Sequence, residues 1–101
     1  MNEALSFLGL LFRGSQIIIG LEVSNAIKRG KIKGVLLANN ISEGSLKEIG
    51  PLINEYKLPS VSFGDKISIG TSIGKKEITM IGFLSKKAYL TFVEKAERSK
   101  A

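Results

Sequence analysis

Short apolar runs alternate along this chain with segments in which apolar residues recur every three or four positions. The runs occupy positions 17–19, 35–38, 61–63 and 78–83, and turn residues or glycine bound most of them. Such runs are typical of short strands, and the continuous isoleucine run at 17–19 predicts a strand buried on both faces. Because strands that alternate with helices form layered folds with parallel strand pairs, the pattern predicts an α/β protein.

The first two helices are predicted from their apolar stripes. Leu5, Leu8 and Phe12 are three and four positions apart, so we expect one buried face that ends before Gly14. In the second helix, at 21–29, the buried arc is expected to carry Val23, Ala26 and Ile27. The opposite, exposed arc is expected to carry Glu22, Ser24, Asn25, Lys28 and Arg29.

Three further helices are predicted from capping residues. Ser45 and Glu48 match the serine and glutamate of a capping box, which indicates a helix that begins at Ser45. Asp65 is a candidate cap for a short helix that ends at Gly74. Ser85 is expected to open the last helix.

The sequence contains neither cysteine nor histidine. Their absence excludes disulfides, thiolate zinc sites, cysteine nucleophiles and the usual general base near neutral pH. The nine carboxylates are scattered along the chain, and no pair of them is spaced for acid–base catalysis. We therefore predict no catalytic residue, no metal site, no cofactor and no small-molecule substrate, and an enzyme is the least favoured of three hypotheses.

Positive charge is the strongest functional signal in the composition. Fifteen Lys and Arg residues oppose nine Asp and Glu residues, which gives a net charge of +6. A small domain with this balance tends to bind a polyanion, although the same charge also favours solubility. The longest apolar stretch, at 4–12, is far shorter than the ~20 residues of a membrane span. We expect residues 1–101 to form a single cytoplasmic domain with no membrane partner.

Basic residues cluster at three places in the sequence. Four cations lie within six positions at 28–33, and two lysine doublets stand at 75–76 and 86–87. No aromatic residue is interleaved with them, which argues against a platform for stacking bases. The clusters favour recognition of nucleic acid by shape and phosphate, while the alternative is an ordinary solvated surface.

Three segments together resemble a known family. The residues at 20–30, those at 35–40 and those at 58–74 follow the order of the ribosomal protein L7Ae/L30e superfamily. The stretch from Pro59 to Gly74 carries the most specific part of the resemblance. The opening Leu8-Gly9-Leu10, Arg13 and Gly20 look most like the small bacterial YlxQ-type branch of that superfamily.

The resemblance implies a three-layer α/β/α sandwich with a small mixed sheet of about four strands. It also implies a non-enzymatic protein that binds kink-turn or similarly structured RNA, such as ribosomal RNA, and that associates with the ribosome. The start of the second helix and two loops would form the RNA site. The candidate RNA-binding residues are Gly20, Leu21, Glu22, Asn25, Lys28, Arg29, Asn39, Asn40, Lys75, Lys76 and Ile78.

The second helix departs from the family pattern at two positions. Glu22 matches the family's glutamate, but Leu21 stands where the family has asparagine, and Asn25 stands where it has lysine. These departures leave a second hypothesis open, in which the chain is a protein–protein interaction module that has lost specific kink-turn binding.

Overall fold

The computed structural model describes residues 2–100, which form five helices and four strands. The helices are α1 (Glu3–Arg13), α2 (Glu22–Lys28), α3 (Glu43–Glu55), α4 (Lys66–Ser72) and α5 (Lys86–Lys100). The strands are β1 (Ile17–Ile19), β2 (Gly34–Leu37), β3 (Ser60–Ser62) and β4 (Met80–Phe83). Helices and strands alternate as the sequence pattern predicts.

The four strands form one mixed sheet in the order β1-β4-β2-β3. β2 and β3 are parallel, whereas β4 is antiparallel to both of its neighbours, β1 and β2. β1, β2 and β3 therefore end at the end of the sheet where β4 begins. We call this the Gly20 end, because Gly20 follows β1. We call the opposite end the Lys33 end, because Lys33 precedes β2 there, next to the end of β4 at Phe83.

Apolar side chains cover both faces of the sheet. In β2, Leu36 belongs to a core with Phe83 and Phe92, to which α1, α4 and α5 contribute. Val35 and Leu37 belong to a second core with α2 and α3 on the opposite face. The fold is therefore the predicted three-layer α/β/α sandwich. Within residues 2–100, no helix combines the length and the apolar character needed to span a membrane.

Two predictions about the buried stripes are wrong in detail. Ile17 is buried, but Ile18 and Ile19 are half-buried, because β1 is an outer strand that pairs with β4 on one side only.

The buried stripe of α1 consists of Ala4, Leu8 and Leu11, whereas Leu5 and Phe12 are half-buried. The stripe is rotated from the predicted one because α1 packs against both α5 and α4.

The predicted capping box of α3 is also wrong. The helix begins one turn earlier, where the hydroxyl oxygen of Ser42 accepts a hydrogen bond from the backbone N–H of Ser45 at 3.2 Å. Glu48 consequently lies in the second turn and cannot cap the helix. The predicted cap of α4 is confirmed, because the Asp65 carboxylate accepts from the backbone N–H groups of Ile67 and Ser68.

Gly70 allows the chain to fold back against α4. A Cβ atom at this position would lie 2.7 Å from the Cα atom and 2.9 Å from the backbone nitrogen of Glu77. The returning segment is fixed there by a hydrogen bond from the Lys75 N–H to the Gly70 carbonyl at 2.8 Å. Any side chain at position 70 would therefore push residues 75–77 away from the helix.

We predict that Gly70→Ala destabilises the protein by about 1–3 kcal/mol, because the atoms it would meet belong to backbone and cannot rotate away. The matched control is Gly44→Ala in the first turn of α3, where an added Cβ would meet nothing within 4 Å. The control should gain up to about 0.5–1 kcal/mol through helix propensity. Urea unfolding measures both variants, and equal stability of the two would contradict this account of Gly70.

Candidate nucleic-acid interface

Backbone hydrogen bonds join the loops at the Gly20 end of the sheet. The N–H of Gly20 donates to the Met80 carbonyl at 3.1 Å, and the N–H of Ala38 donates to the Thr79 carbonyl at 2.9 Å. The N–H of Asn39 donates to the Gly64 carbonyl at 2.7 Å. These bonds extend the strand pairing beyond the strands, so the segments that follow β1, β2 and β3 form one surface with the segment that precedes β4.

The turn into α2 presents the first predicted residues. Gly20 has a φ of +66°, a left-handed conformation that glycine adopts at little cost, and its carbonyl accepts from the Val23 N–H at 3.1 Å. Leu21 follows with 81% of its surface exposed and no side-chain cap on the helix. Glu22 and Asn25 are also exposed. The structure therefore displays these side chains to solvent at the Gly20 end.

Ser24 does not lie on the exposed arc of α2, where the sequence analysis placed it. It is buried, and its hydroxyl donates to the Glu48 carboxylate of α3 at 3.4 Å. The small side chain sits where α2 packs on α3. This long-range contact left no signal in the local sequence pattern, although it holds the α2 helix against its neighbour.

The loop after β2 places both predicted asparagines on the surface. The Asn40 side-chain oxygen accepts from the backbone N–H of Lys66 at 2.9 Å, so part of Asn40 already links this loop to the start of α4. Asn39 is exposed, and its backbone N–H is bonded to Gly64. Asn39 is thus free to orient its amide outward, while Asn40 has a structural role as well.

The segment 75–78 is divided between two places. The Ile78 N–H donates to the Lys66 carbonyl at 2.9 Å, at the start of α4 and the Gly20 end. Lys75 lies beside the last turn of α4, and its ammonium group is 5.6 Å from the centre of the Phe12 ring. Lys75 and Lys76 are exposed. The structure therefore brings Ile78 to the Gly20 end, whereas Lys75 is directed towards α1.

Lys28 and Arg29 are on the same exposed side of α2 as Glu22 and Asn25, but at its other end. At 1.5 Å per residue, six residues place Lys28 about 9 Å along the axis from Glu22. Arg29 lines a groove that runs along β1, with Ile17 at the start of the strand and Glu22 also in the lining. These two cations therefore lie away from the Gly20 end.

Lys66 also belongs to the surface at the Gly20 end, although it was not among the residues predicted from the sequence. Its backbone N–H binds Asn40 and its carbonyl binds Ile78, so it connects two of the predicted segments. Its ammonium group is 3.9 Å from the Glu77 carboxylate. The predicted cap at Asp65 marked the position of Lys66 as the first helical residue, but nothing in the sequence pairs it with a loop 26 residues earlier.

Asp65 fixes the start of α4 at the same end. Hydrogen bonds from the backbone N–H and then the hydroxyl of Ser68, with a smaller effect of the Ile67 N–H, hold the pKa of the Asp65 carboxyl below its ordinary value of 3.8. In residues 2–100, no group of three or more Asp or Glu side chains is placed to hold a metal ion.

Comparisons with known proteins agree on one family. A family model described as ribosomal protein L7Ae/L30e/S12e/Gadd45 matches residues 5–89. The chain is 31% identical over 75 residues to an RNA-binding protein YlxQ of Enterococcus faecium, a match that covers 73% of both chains.

Solved structures share the fold. A protein of unknown function from Bacillus halodurans C has a TM-score of 0.87 at 24% identity, over 96% of this chain and 99% of that chain. A 15.5kD RNA binding protein of Giardia lamblia has a TM-score of 0.71 at 16% identity, over 95% of this chain and 83% of that chain.

The low pKa of Asp65 predicts an acid-sensitive contribution to stability. Because the folded-state pKa is depressed, the contribution is complete above the unfolded pKa of 3.8 and is lost as pH falls through the folded value. We expect Asp65→Asn to be less stable than the original chain at about pH 7, and the difference to shrink below about pH 3.8. Chemical unfolding at several pH values measures this difference.

The matched control for this variant is Glu97→Gln, which removes an exposed carboxylate of α5. It should change stability little at any pH. A difference between Asp65→Asn and the original chain that stays constant from neutral to acid pH would contradict the role assigned to the ionised cap.

Proposed function

Because the chain belongs to the ribosomal protein L7Ae/L30e/S12e/Gadd45 family, we propose that it is a non-enzymatic RNA-binding protein. A relative from Enterococcus faecium and a structural neighbour from Giardia lamblia are both RNA-binding proteins, which supports this proposal. The RNA would be a kink-turn or a similarly structured RNA, with ribosomal RNA as the first candidate and the ribosome as the place of binding.

The observation that carries the proposal is the convergence of loops at the Gly20 end. Hydrogen bonds between Gly20 and Met80, and between Ala38 and Thr79, fix the relative positions of the turn into α2 and the loop after β2. Protein–RNA recognition of this kind depends on shape, so a preorganised surface reduces the entropy lost on binding. The proposed contact residues at this end are Gly20, Leu21, Glu22, Asn25, Asn39, Asn40 and Ile78.

The chemistry of these residues suits base edges better than phosphates. The Glu22 carboxylate accepts hydrogen bonds from base amino groups, and the Asn25 and Asn39 amides both donate and accept. Lysine charge at this end is partly neutralised, since Lys66 lies 3.9 Å from Glu77. The exposed lysines 75 and 76, and the more distant cations 28 and 29, would contact flanking phosphates.

Leu21 and Asn25 would weaken kink-turn binding relative to family members that carry asparagine and lysine there. Both residues are exposed, and their spacing of four places them on the same side of the helix. Leucine offers no hydrogen bond, and asparagine supplies no charge. The contacts that they would lose are each worth about 1–3 kcal/mol, which is about 30-fold to 10⁴-fold in affinity for the pair.

A second candidate function is protein–protein interaction at the same end. The observation that favours it is the exposed side chain of Leu21, with 81% of its surface in solvent. A protein partner that covered this end would bury the leucine side chain.

We predict that affinity for a kink-turn RNA falls linearly with salt on logarithmic axes. With roughly three to six phosphate contacts, the fall between about 50 and 200 mM salt should be about 10-fold to 1,000-fold. Lys75→Glu should weaken binding more than Lys95→Glu, because Lys95 already lies 2.9 Å from the Glu3 carboxylate. Fluorescence anisotropy at several salt concentrations measures both effects.

Two results of that titration would contradict the electrostatic part of the proposal. One is an affinity independent of salt, and the other is an equal effect of the two lysine reversals. Undetectable binding at low salt would favour the protein-interaction function.

The double variant Leu21→Asn/Asn25→Lys tests how α2 meets the RNA. We expect it to bind a kink-turn RNA at least about tenfold more tightly at fixed salt, because it restores one hydrogen bond and one charge. Glu22→Ala should weaken whatever binding exists. An unchanged affinity of the double variant would mean that positions 21 and 25 do not correspond to the RNA-contacting positions of the family.

A control variant separates specific binding from a general gain in charge. Asn54→Lys adds the same charge at an exposed position of α3. It should raise affinity for a kink-turn RNA and for an unrelated hairpin equally, whereas the double variant should favour the kink-turn.

A further inference from the structure

A groove at the Lys33 end lies outside the surface proposed for RNA. It has a volume of about 530 Å³ and is formed where α2 and α3 end and α5 begins. We call it the basic groove, because three lysines line it together with an apolar floor. The lysines are Lys33, Lys57 and Lys86, and the apolar lining includes Ile27, Ile32, Tyr56, Leu58, Tyr89 and Leu90.

The charge of the basic groove has one sign. No Asp or Glu is among the residues that line it. Within residues 2–100, the three ion pairs all join side chains outside the groove, at Lys66, Lys95 and Arg98. Lys31, two positions before Lys33, and Lys87, next to Lys86, are also exposed, and they outnumber the one exposed acid next to the lining, Glu55. The groove therefore attracts an anionic partner that supplies the missing carboxylates or phosphates.

One lining lysine occupies a position that glycine fills elsewhere in this chain. Lys57 has a φ of +52°, and its N–H and that of Leu58 donate to Asn54 and Ile53 at the end of α3. The same pattern of bonds closes α2, where Gly30 takes the left-handed position. Glycine adopts this conformation more easily than a residue with a side chain. Ser15 takes the same position at the end of α1, so this conformation tolerates a side chain, and the lysine at position 57 adds a charge to the wall of the groove.

The apolar lining decides between the two classes of anionic partner. Leu90 is 53% exposed and Tyr56 is 38% exposed, although both face a cavity. Among the residues that line the groove, a nucleotide base could stack only on the Tyr56 ring, because Tyr89 is buried and the other exposed part of the floor is the aliphatic Leu90. An apolar amino-acid side chain would bury Leu90 as well as contact Tyr56. The observations therefore favour a protein segment over a nucleic acid.

We propose that the basic groove binds a segment of a partner protein in which apolar side chains are flanked by Asp or Glu. The apolar side chains pack on Leu90, Tyr56 and Leu58, and the carboxylates pair with Lys33, Lys57 and Lys86. The groove lies at the Lys33 end, so the Gly20 end stays open for another ligand at the same time. This proposal stands independently of RNA binding.

The test selects displayed random peptides of about 16 residues on the full chain and on two variants. Lys33→Glu reverses a charge in the groove, and Lys47→Glu makes the same change at an exposed position of α3 outside it. We expect enriched sequences that combine apolar and acidic residues. The best synthetic peptide should bind the original chain and Lys47→Glu equally, and Lys33→Glu at least about tenfold more weakly.

Amide chemical shifts locate the bound peptide. The peptide should shift residues that line the basic groove and should leave those of the Gly20 end unchanged. Three results would overturn the proposal: no enrichment above background, equal affinity for the two lysine variants, or shifts outside the groove. A single-stranded oligouridylate that shifts the groove residues more strongly than the peptide would assign the groove to nucleic acid instead.

Discussion

The antiparallel pairing of β4 with β1 and β2 is the constraint on which both surfaces of this protein depend. β4 is buried on both faces and hydrogen-bonded on both sides. Its bonds continue past its two ends, where Gly20 donates to Met80 at 3.1 Å and Lys33 donates to Phe83 at 2.8 Å. β4 thus fixes the turn into α2 at one end of the sheet, and it fixes the lysine-bearing segment that leads into β2 at the other end.

The two ends of the sheet differ in charge. At the Gly20 end, Lys66 is paired with Glu77, and Glu22 and Asp65 add negative charge. At the Lys33 end, lysines 33, 57 and 86 line one groove, and none of the residues that line this groove is acidic. The net charge of +6 therefore does not mark the surface proposed for RNA. Recognition there relies on shape and hydrogen bonds, while charge dominates at the opposite end.

The sequence was sufficient to predict the layers of the fold, since glycine-bounded apolar runs and helical stripes are local signals. It could not show that β1 lies at the outside of the sheet, because strand order depends on contacts between distant residues. The predicted start of α3 is wrong because Ser42 and Ser45 are both suitable caps in the local pattern, and the structure uses Ser42.

The candidate site was predictable only in part. The resemblance groups the turn into α2 with the loop after β2, and the structure brings both segments to the Gly20 end. Lys75 instead lies beside Phe12, because Gly70 lets the chain fold back along α4. The sequence also gave no sign of an aromatic residue among the lysines. In the structure, Tyr56 shares a groove with Lys33 and Lys86, which are 23 and 30 residues away. Such neighbours arise from tertiary contact alone.

Amide chemical-shift mapping with a kink-turn RNA hairpin is the most direct test of the account. We expect the largest changes in one contiguous surface at the Gly20 end, at Gly20, Leu21, Glu22, Asn39 and Ile78. Changes centred instead on Lys31, Lys33, Lys57 and Lys86 would contradict it, because they would mean that RNA is held by charge at the opposite end of the sheet.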